Sequence, residues 1–370
     1  MIYREYGQTG KKVSLLGFGG MRFAAIDNQD ECIRTMLTAA EGGVNYFDTA
    51  PGYFGTKSEE VFGKALAEFR RKKIPHYVAT KTFESEASAI RGSVEAQLKR
   101  LDIPAIDFYH IWCITSLDDW HNRKKNNILT TFRKLKEEGL IKHICVSSHL
   151  TGSEIKELLM EGVFEGVLFG YSAYNFQTRQ AAFDAIREKK LGAVVMNPLG
   201  GGVIPQNPEQ FSYLCRPGES LVAAALRFLW DHKDITVTLQ GGDTLEHVQE
   251  ALAAMEGYQS RSEAELSELK NRVAGSTEGI CTGCAYCDNC PHGIPIPKFM
   301  DTYNQKILGE TAHKKTSHRT KGEDPFSDRL KYHWRVDRAL AEKCTACGAC
   351  EKACTQHLPI IERLKEIAAS

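Results

Sequence analysis

The 370-residue chain has no apolar run approaching the ~20 residues that a membrane span needs. Its opening, MIYREYGQTG, lacks the apolar stretch of a secretory leader. Neither a membrane partner nor export is expected, and the reading is a cytoplasmic protein. An excess of either charge is also missing, since 47 Lys and Arg balance 47 Asp and Glu. Nucleic-acid binding by counterion release requires a concentrated basic surface, so no nucleic-acid partner is expected either. The one basic stretch, HKKTSHRTK over residues 313–321, reads as a solvated linker. Cysteine is scarce through the first 280 positions, where only Cys32, Cys113, Cys145 and Cys215 occur. Settings such as HIWCITS and KHICVSS suit small core residues.

The remaining eight cysteines are crowded into two runs. Cys281, Cys284, Cys287 and Cys290 lie in CTGCAYCDNCP, and Cys344, Cys347, Cys350 and Cys354 in CTACGACEKACTQHLPI. Disulfides fit neither this spacing nor a reducing compartment. Three thiolates spaced by two residues can wrap three corners of a [4Fe-4S] cube, with the fourth corner supplied from the other run. That swap pairs Cys281, Cys284, Cys287 and Cys354 around one cluster and Cys344, Cys347, Cys350 and Cys290 around a second. Closed tetrahedral zinc sites are the alternative, although they usually separate their cysteine pairs by a dozen residues or more. Two rather than three residues precede Cys290, and Thr355 stands where a proline usually follows the last cysteine. Both departures bear on which thiolate is the fourth ligand.

Ahead of these runs, short apolar strands alternate with amphipathic helices. VSLLGFG, NYFDTA, YVATKT, AIDFYHIW, HICVSS, GVLFGYS, LGAVVMNP and ITVTLQ each precede a helical segment. Eight such units predict an α/β fold, a closed (β/α)8 TIM barrel, with an open six-stranded sheet as the alternative. In a barrel the chemistry gathers at the C-terminal ends of strands. Asp48 and Lys81 fall at two such ends, with Tyr53 in the loop after Asp48. Asp48 is the natural partner for a buried Lys81. A lysine cation beside the Tyr53 phenol would favour the phenolate, equipping Tyr53 to protonate a carbonyl oxygen as hydride arrives.

GFGGMRF, NYFDTAPGYFGTKSEEVFGKAL, VATKT, IDFYHIW and ITVTLQGGDTLEHVQEAL together resemble the aldo-keto reductase superfamily over about residues 1–258. The cysteine-rich tail, 259–370, is similar to the branch that fuses the barrel to a small ferredoxin-like iron-sulfur domain. The resemblance implies NAD(P)H across the barrel mouth and a catalytic Asp, Tyr, Lys and His. Asp48, Tyr53 and Lys81 match the first three. The family places its histidine at position 112, where this chain has Trp112, with His110 two residues earlier. His110 would start roughly 6 to 7 Å deeper along the strand. No glycine is available there to form a bulge, so a plain strand is expected, with His110 deep and Trp112 forming an apolar wall. Cofactor contacts implied by the resemblance are Ser147, Tyr171 and Asn197 near the nicotinamide, and Gly241, Thr244, His247 and Glu250 near the adenosine. Gly241 and His247 replace a Lys and an Arg common in NADPH-selective members, and Ala251 replaces an Asn.

The expectation is an oxidoreductase for a small-molecule carbonyl or alcohol, with two 4Fe-4S clusters for electron transfer and a redox partner protein. A nicotinamide moves two electrons and each cluster one, so coupling them would need a flavin or such a partner. The competing readings are an electron-relay subunit with a degenerate barrel and clusters that act purely as structural staples.

Overall fold

The structure, a computed structural model, describes residues 1–173, 175–241, 244–273, 279–281, 286–308, 326 and 329–370. The chain divides into two compact units, Met1–Pro198 with Val222–Leu266, and Leu199–Leu221 with Ser267–Ser370. This differs from a single break at 258. The boundary falls at Leu266, and the segment following the seventh barrel strand groups with the tail.

The first unit opens with an antiparallel hairpin, β1 (Tyr3–Glu5) and β2 (Lys12–Ser14). Eight parallel strands follow: β3 (Leu16–Gly19), β4 (Tyr46–Asp48), β5 (Tyr77–Thr82), β6 (Ile106–Ile114), β7 (Ile141–Ser148), β8 (Gly166–Gly170), β9 (Gly192–Met196) and β10 (Val237–Gly241). They close in sequence order, with β10 pairing both β9 and β3. The strands are buried on both faces, β6 along its whole length, as a barrel sheathed by helices requires. The open six-stranded alternative is thereby excluded.

The hairpin was not foreseen. It splits VSLLGFG between β2 and β3 and delivers Tyr6 into the barrel core, where its ring lies 4.1 Å from that of Phe108. Gly166 and Gly192 make room for it, since a Cβ on Gly192 would approach the Tyr6 ring, and one on Gly166 the Tyr6 hydroxyl, to 2.2 Å. The Tyr6 hydroxyl reaches the Cys145 sulfur at 3.6 Å. Cys32, Cys113 and Cys145 are buried core residues, whereas Cys215 is only half-buried.

β6 carries the second departure. Its ladder with β7 runs regularly to Ile111, opposite Val146, and resumes at Ile114, opposite Ser148. One extra residue is thus accommodated around Trp112 and Cys113, so the plain-strand expectation is corrected. Cys113 itself takes φ +60°, the left-handed conformation for which a glycine was thought necessary. The bulge lies beyond His110, which stays in regular register opposite Lys81 and Cys145.

In the second unit, the helix Ile296–Leu308 and the terminal helix Ile360–Ala369 pack around a core of Ile294, Phe299, Met300, Leu358, Leu364 and Ile367. Residues 313–321 lie outside the described residues. Among those described, no helix is long and apolar enough to cross a membrane.

Candidate active site

Parallel pairing of β3, β4, β5 and β6 brings their C-terminal ends to one face of the barrel. Lys81 Nζ donates to Asp48 Oδ1 at 2.6 Å, and both side chains are almost wholly buried, at 1% and 2% exposure. Such a pair requires close geometry to offset desolvation. Burial raises the Asp48 carboxyl above its ordinary range while Lys81 opposes the shift, and Asp48 Oδ2 has no hydrogen-bond partner. Lys81 Nζ also lies 5.4 Å from the centre of the Tyr53 ring. Tyr53 is half-buried and sits before three residues in left-handed conformation, Phe54, Gly55 and Thr56, at φ +52°, +59° and +78°. The structure therefore brings Asp48, Lys81 and Tyr53 together, a phenol beside a cation that a buried carboxylate holds in place.

His110 is the ladder partner of Lys81 and feels its charge, but no side-chain hydrogen bond ties it to the three. It is fully buried, neither ring nitrogen has a hydrogen bond, and burial together with the Lys81 charge pushes it down to about 3. The Val146 backbone favours its charged form too weakly to change this. Trp112 is the β6 side chain that meets Tyr53, edge to face, with ring centres 5.8 Å apart. The indole also stacks on Phe83, at 3.8 Å, and Phe83 is 49% exposed. Gly52 leaves room for this arrangement, because a Cβ there would come within 3.0 Å of the indole. Sequence reasoning passed over Phe83, although an aromatic directly after YVATKT was a readable signal.

The residues expected around a nicotinamide separate into two groups. Ser147 is buried near the end of β7, and Asn197 follows β9 with φ +57°. Tyr171 packs instead against Phe183 of the helix Ala182–Lys189, at 5.1 Å, and its hydroxyl donates to Gln180. Strand alternation sets it on the same side as Phe169, toward the helices. At the other expected end, Gly241 closes β10 and Thr244 caps the helix Leu245–Glu256, accepting from the His247 backbone N–H at 3.3 Å. The His247 side chain is exposed, Glu250 is half-buried, and Gly242 lies outside the described residues. Gly241, Val248 and Ala251 line a small apolar cavity there. Exposed Glu246 already places a carboxylate in the first turn. That helix N-terminus favours an anion, but no Lys or Arg from the replaced positions assists it.

The second unit gathers its own donors. Cys290, Cys344, Cys347 and Cys350 line one cavity, together with Pro291, His292 and Thr345. Cys281, Cys287 and Cys354 are buried in the core of the same unit, and Cys284 lies outside the described residues. Among the described residues no three His, Cys, Asp or Glu side chains converge as they would on a single metal ion. Four thiols surrounding a cavity is instead a donor set that fits a bulky thiolate-bound cluster.

The aldo/keto reductase family profile matches residues 15–270. L-galactose dehydrogenase of Arabidopsis thaliana is 27% identical over 301 residues, covering 72% of this chain and 92% of its own length. The uncharacterized oxidoreductase YrpG of Bacillus subtilis (strain 168) is 25% identical over 304 residues, covering 69% of this chain and 91% of its own. The aldo-keto reductase AKR11C1 from Bacillus halodurans, solved in its holo form, superposes with a TM-score of 0.65 at 24% identity. That likeness covers 74% of this chain and 96% of that one and concerns the fold. The profile ends before Cys281, so it speaks to the barrel and leaves both cysteine runs outside it.

Proposed function

The chain belongs to the aldo/keto reductase family and is an oxidoreductase, and from that premise we propose that its barrel reduces a carbonyl, or oxidises the matching alcohol, with NAD(P)H. The observation that carries this reading is the buried Asp48–Lys81 pair beside Tyr53. Bound nicotinamide would supply the hydride. Tyr53 would give its proton to the substrate oxygen, Lys81 would hold positive charge where the phenolate forms, and Asp48 would fix Lys81. Ser147, Asn197, Gly241, Thr244, His247 and Glu250 are the candidate cofactor contacts. Tyr171 is left out because its ring faces the helix layer. Trp112 and Phe83 give the site an aromatic wall where the family has a histidine. A substrate with its own flat apolar surface suits that wall better than a small aldehyde.

The second unit is read as a ferredoxin-like domain holding two 4Fe-4S clusters, one on Cys281, Cys284, Cys287 and Cys354, the other on Cys290, Cys344, Cys347 and Cys350. Burial of Cys281, Cys287 and Cys354 in the core of the unit also favours a stapling role. Electron transfer would add a redox partner protein.

Two assays on anaerobically purified protein test this function. About eight iron and eight acid-labile sulfide per chain are expected, and stoichiometric zinc without sulfide would contradict the clusters. Fluorescence titration should show NADH competing with NADPH, since a 2′-phosphate would lose charge-assisted donors here. An NADPH preference above ~100-fold would mean that other side chains hold that phosphate.

A further inference from the structure

One buried charge in the second unit is not accounted for by the barrel chemistry. Arg363 lies on the apolar face of the terminal helix, with Ile360, Leu364 and Ile367, and is only 6% exposed. Among the described residues no carboxylate pairs with it, and its Nη1 has no hydrogen-bond partner. The nearby acid on the same helix, Glu366, is already engaged by the Tyr303 hydroxyl and Lys306. A buried guanidinium is costly unless an anion offsets its desolvation, and among the described residues no ion pair does so.

The surroundings indicate which anion is missing. The guanidinium carbon stacks 4.6 Å from the centre of the Tyr303 ring. Its Nη2 lies so close to Gly279 that a Cβ there would approach it to 2.8 Å. Gly279 is two residues before Cys281. Tyr303, Cys281, Cys354 and Glu362, in that order, are the groups whose negative charge would favour the guanidinium. Those two cysteines come from opposite runs and belong to the same proposed cluster. The cavity lined by Cys290, Cys344, Cys347 and Cys350 has no Lys or Arg among its lining residues.

We propose that Arg363 is the fixed counter-charge of the cluster on Cys281, Cys284, Cys287 and Cys354, raising its reduction potential while leaving the other cluster almost unchanged. The inference rests on the two-cluster reading. Reduction adds one electron and no proton, so a cluster with its four thiolates passes from a dianion to a trianion. A cation fixed beside it in a low-dielectric core stabilises the trianion more than the dianion, which favours reduction. Arg363 is thus a positioning and tuning residue that touches no substrate.

The test is an anaerobic dithionite titration of the full-length holoprotein, followed by electron paramagnetic resonance, in wild type, Arg363→Gln and Arg363→Lys. A Cys347→Ser background alters the signal of the other cluster and so assigns the two. In Arg363→Gln, the reduction equilibrium constant of one cluster should fall about tenfold, equivalent to about 59 mV for a one-electron couple. The other cluster should move less than about twofold, and Arg363→Lys should keep most of the wild-type potential. Selective loss of one cluster in Arg363→Gln with retention in Arg363→Lys would also support the proposal. Unmoved potentials in Arg363→Gln, or equal effects of Gln and Lys, would overturn it. Wild-type protein without iron and sulfide would instead overturn the two-cluster reading.

Discussion

Asp48 and Lys81 are the residues on which the barrel site depends, and their burial makes the dependence measurable. Removing one partner leaves a charge, or a neutralised group with poor hydrogen bonding, in a site that is almost wholly buried. Lys81→Met or Asp48→Asn should each cost about 3–5 kcal/mol in urea unfolding, with a double variant costing much less than the sum. Simple additivity would show that the two side chains do not act as a pair. This pairing was legible in the sequence because each residue ends a strand in a run of continuous apolar strands. The outcome for His110 and Trp112 was only half legible. Depth along the strand followed from spacing, but the bulge did not, because Cys113 adopts a conformation usually left to glycine or asparagine. Arg363 was legible in principle as a charge at a core position of the pattern Ile360, Arg363, Leu364, Ile367.

Among the elements, the β1–β2 hairpin decides how the barrel is filled. Tyr6 occupies space vacated by Gly166 and Gly192, and its ring also faces Tyr46 and Phe108. Gly192→Ala should therefore destabilise the protein by about 1–3 kcal/mol through overpacking, and Tyr6→Leu in the same chain should recover part of the loss. Equal loss with and without Tyr6→Leu would mean that the glycine serves backbone conformation instead. Periodicity found the eight barrel strands because each is buried on both faces. It missed the hairpin because its two strands are three residues each, too short to show alternation. The packing of Tyr171 was hard to read for a related reason. Position after a strand locates a residue near the mouth, but alternation decides which side it faces, and Phe169 and Tyr171 face the helices.

For the whole molecule, two buried histidines contribute to the loss of stability in acid. Burial lowers His110 to about 3, with Lys81 adding to the effect, and lowers His149 to about 3, with Arg179 adding. Both folded values lie below the unfolded one near 6.5, so between them the unfolded chain binds more protons than the folded chain. Their contribution to stability is complete above about pH 6.5 and falls as the pH drops below it. Each should contribute a slope of about 1.4 kcal/mol per pH unit there. His110→Gln should remove about one such slope in chemical denaturation between pH 6.5 and 5, and an unchanged slope would mean that His110 titrates in the fold as it does in the unfolded chain. The division into units was the least legible feature at this scale. Residues 199–221 carry no cysteine pattern that ties them to the tail, and only tertiary packing groups them with it. The most direct test of the account is a single-turnover measurement on anaerobic, cluster-loaded protein, comparing wild type with Tyr53→Phe. Nicotinamide oxidation is followed in stopped flow with an aromatic ketone as acceptor. The account predicts cofactor affinity within about twofold of wild type, unchanged iron content, and hydride transfer slowed at least ~100-fold. Hydride transfer at the wild-type rate in Tyr53→Phe would contradict it.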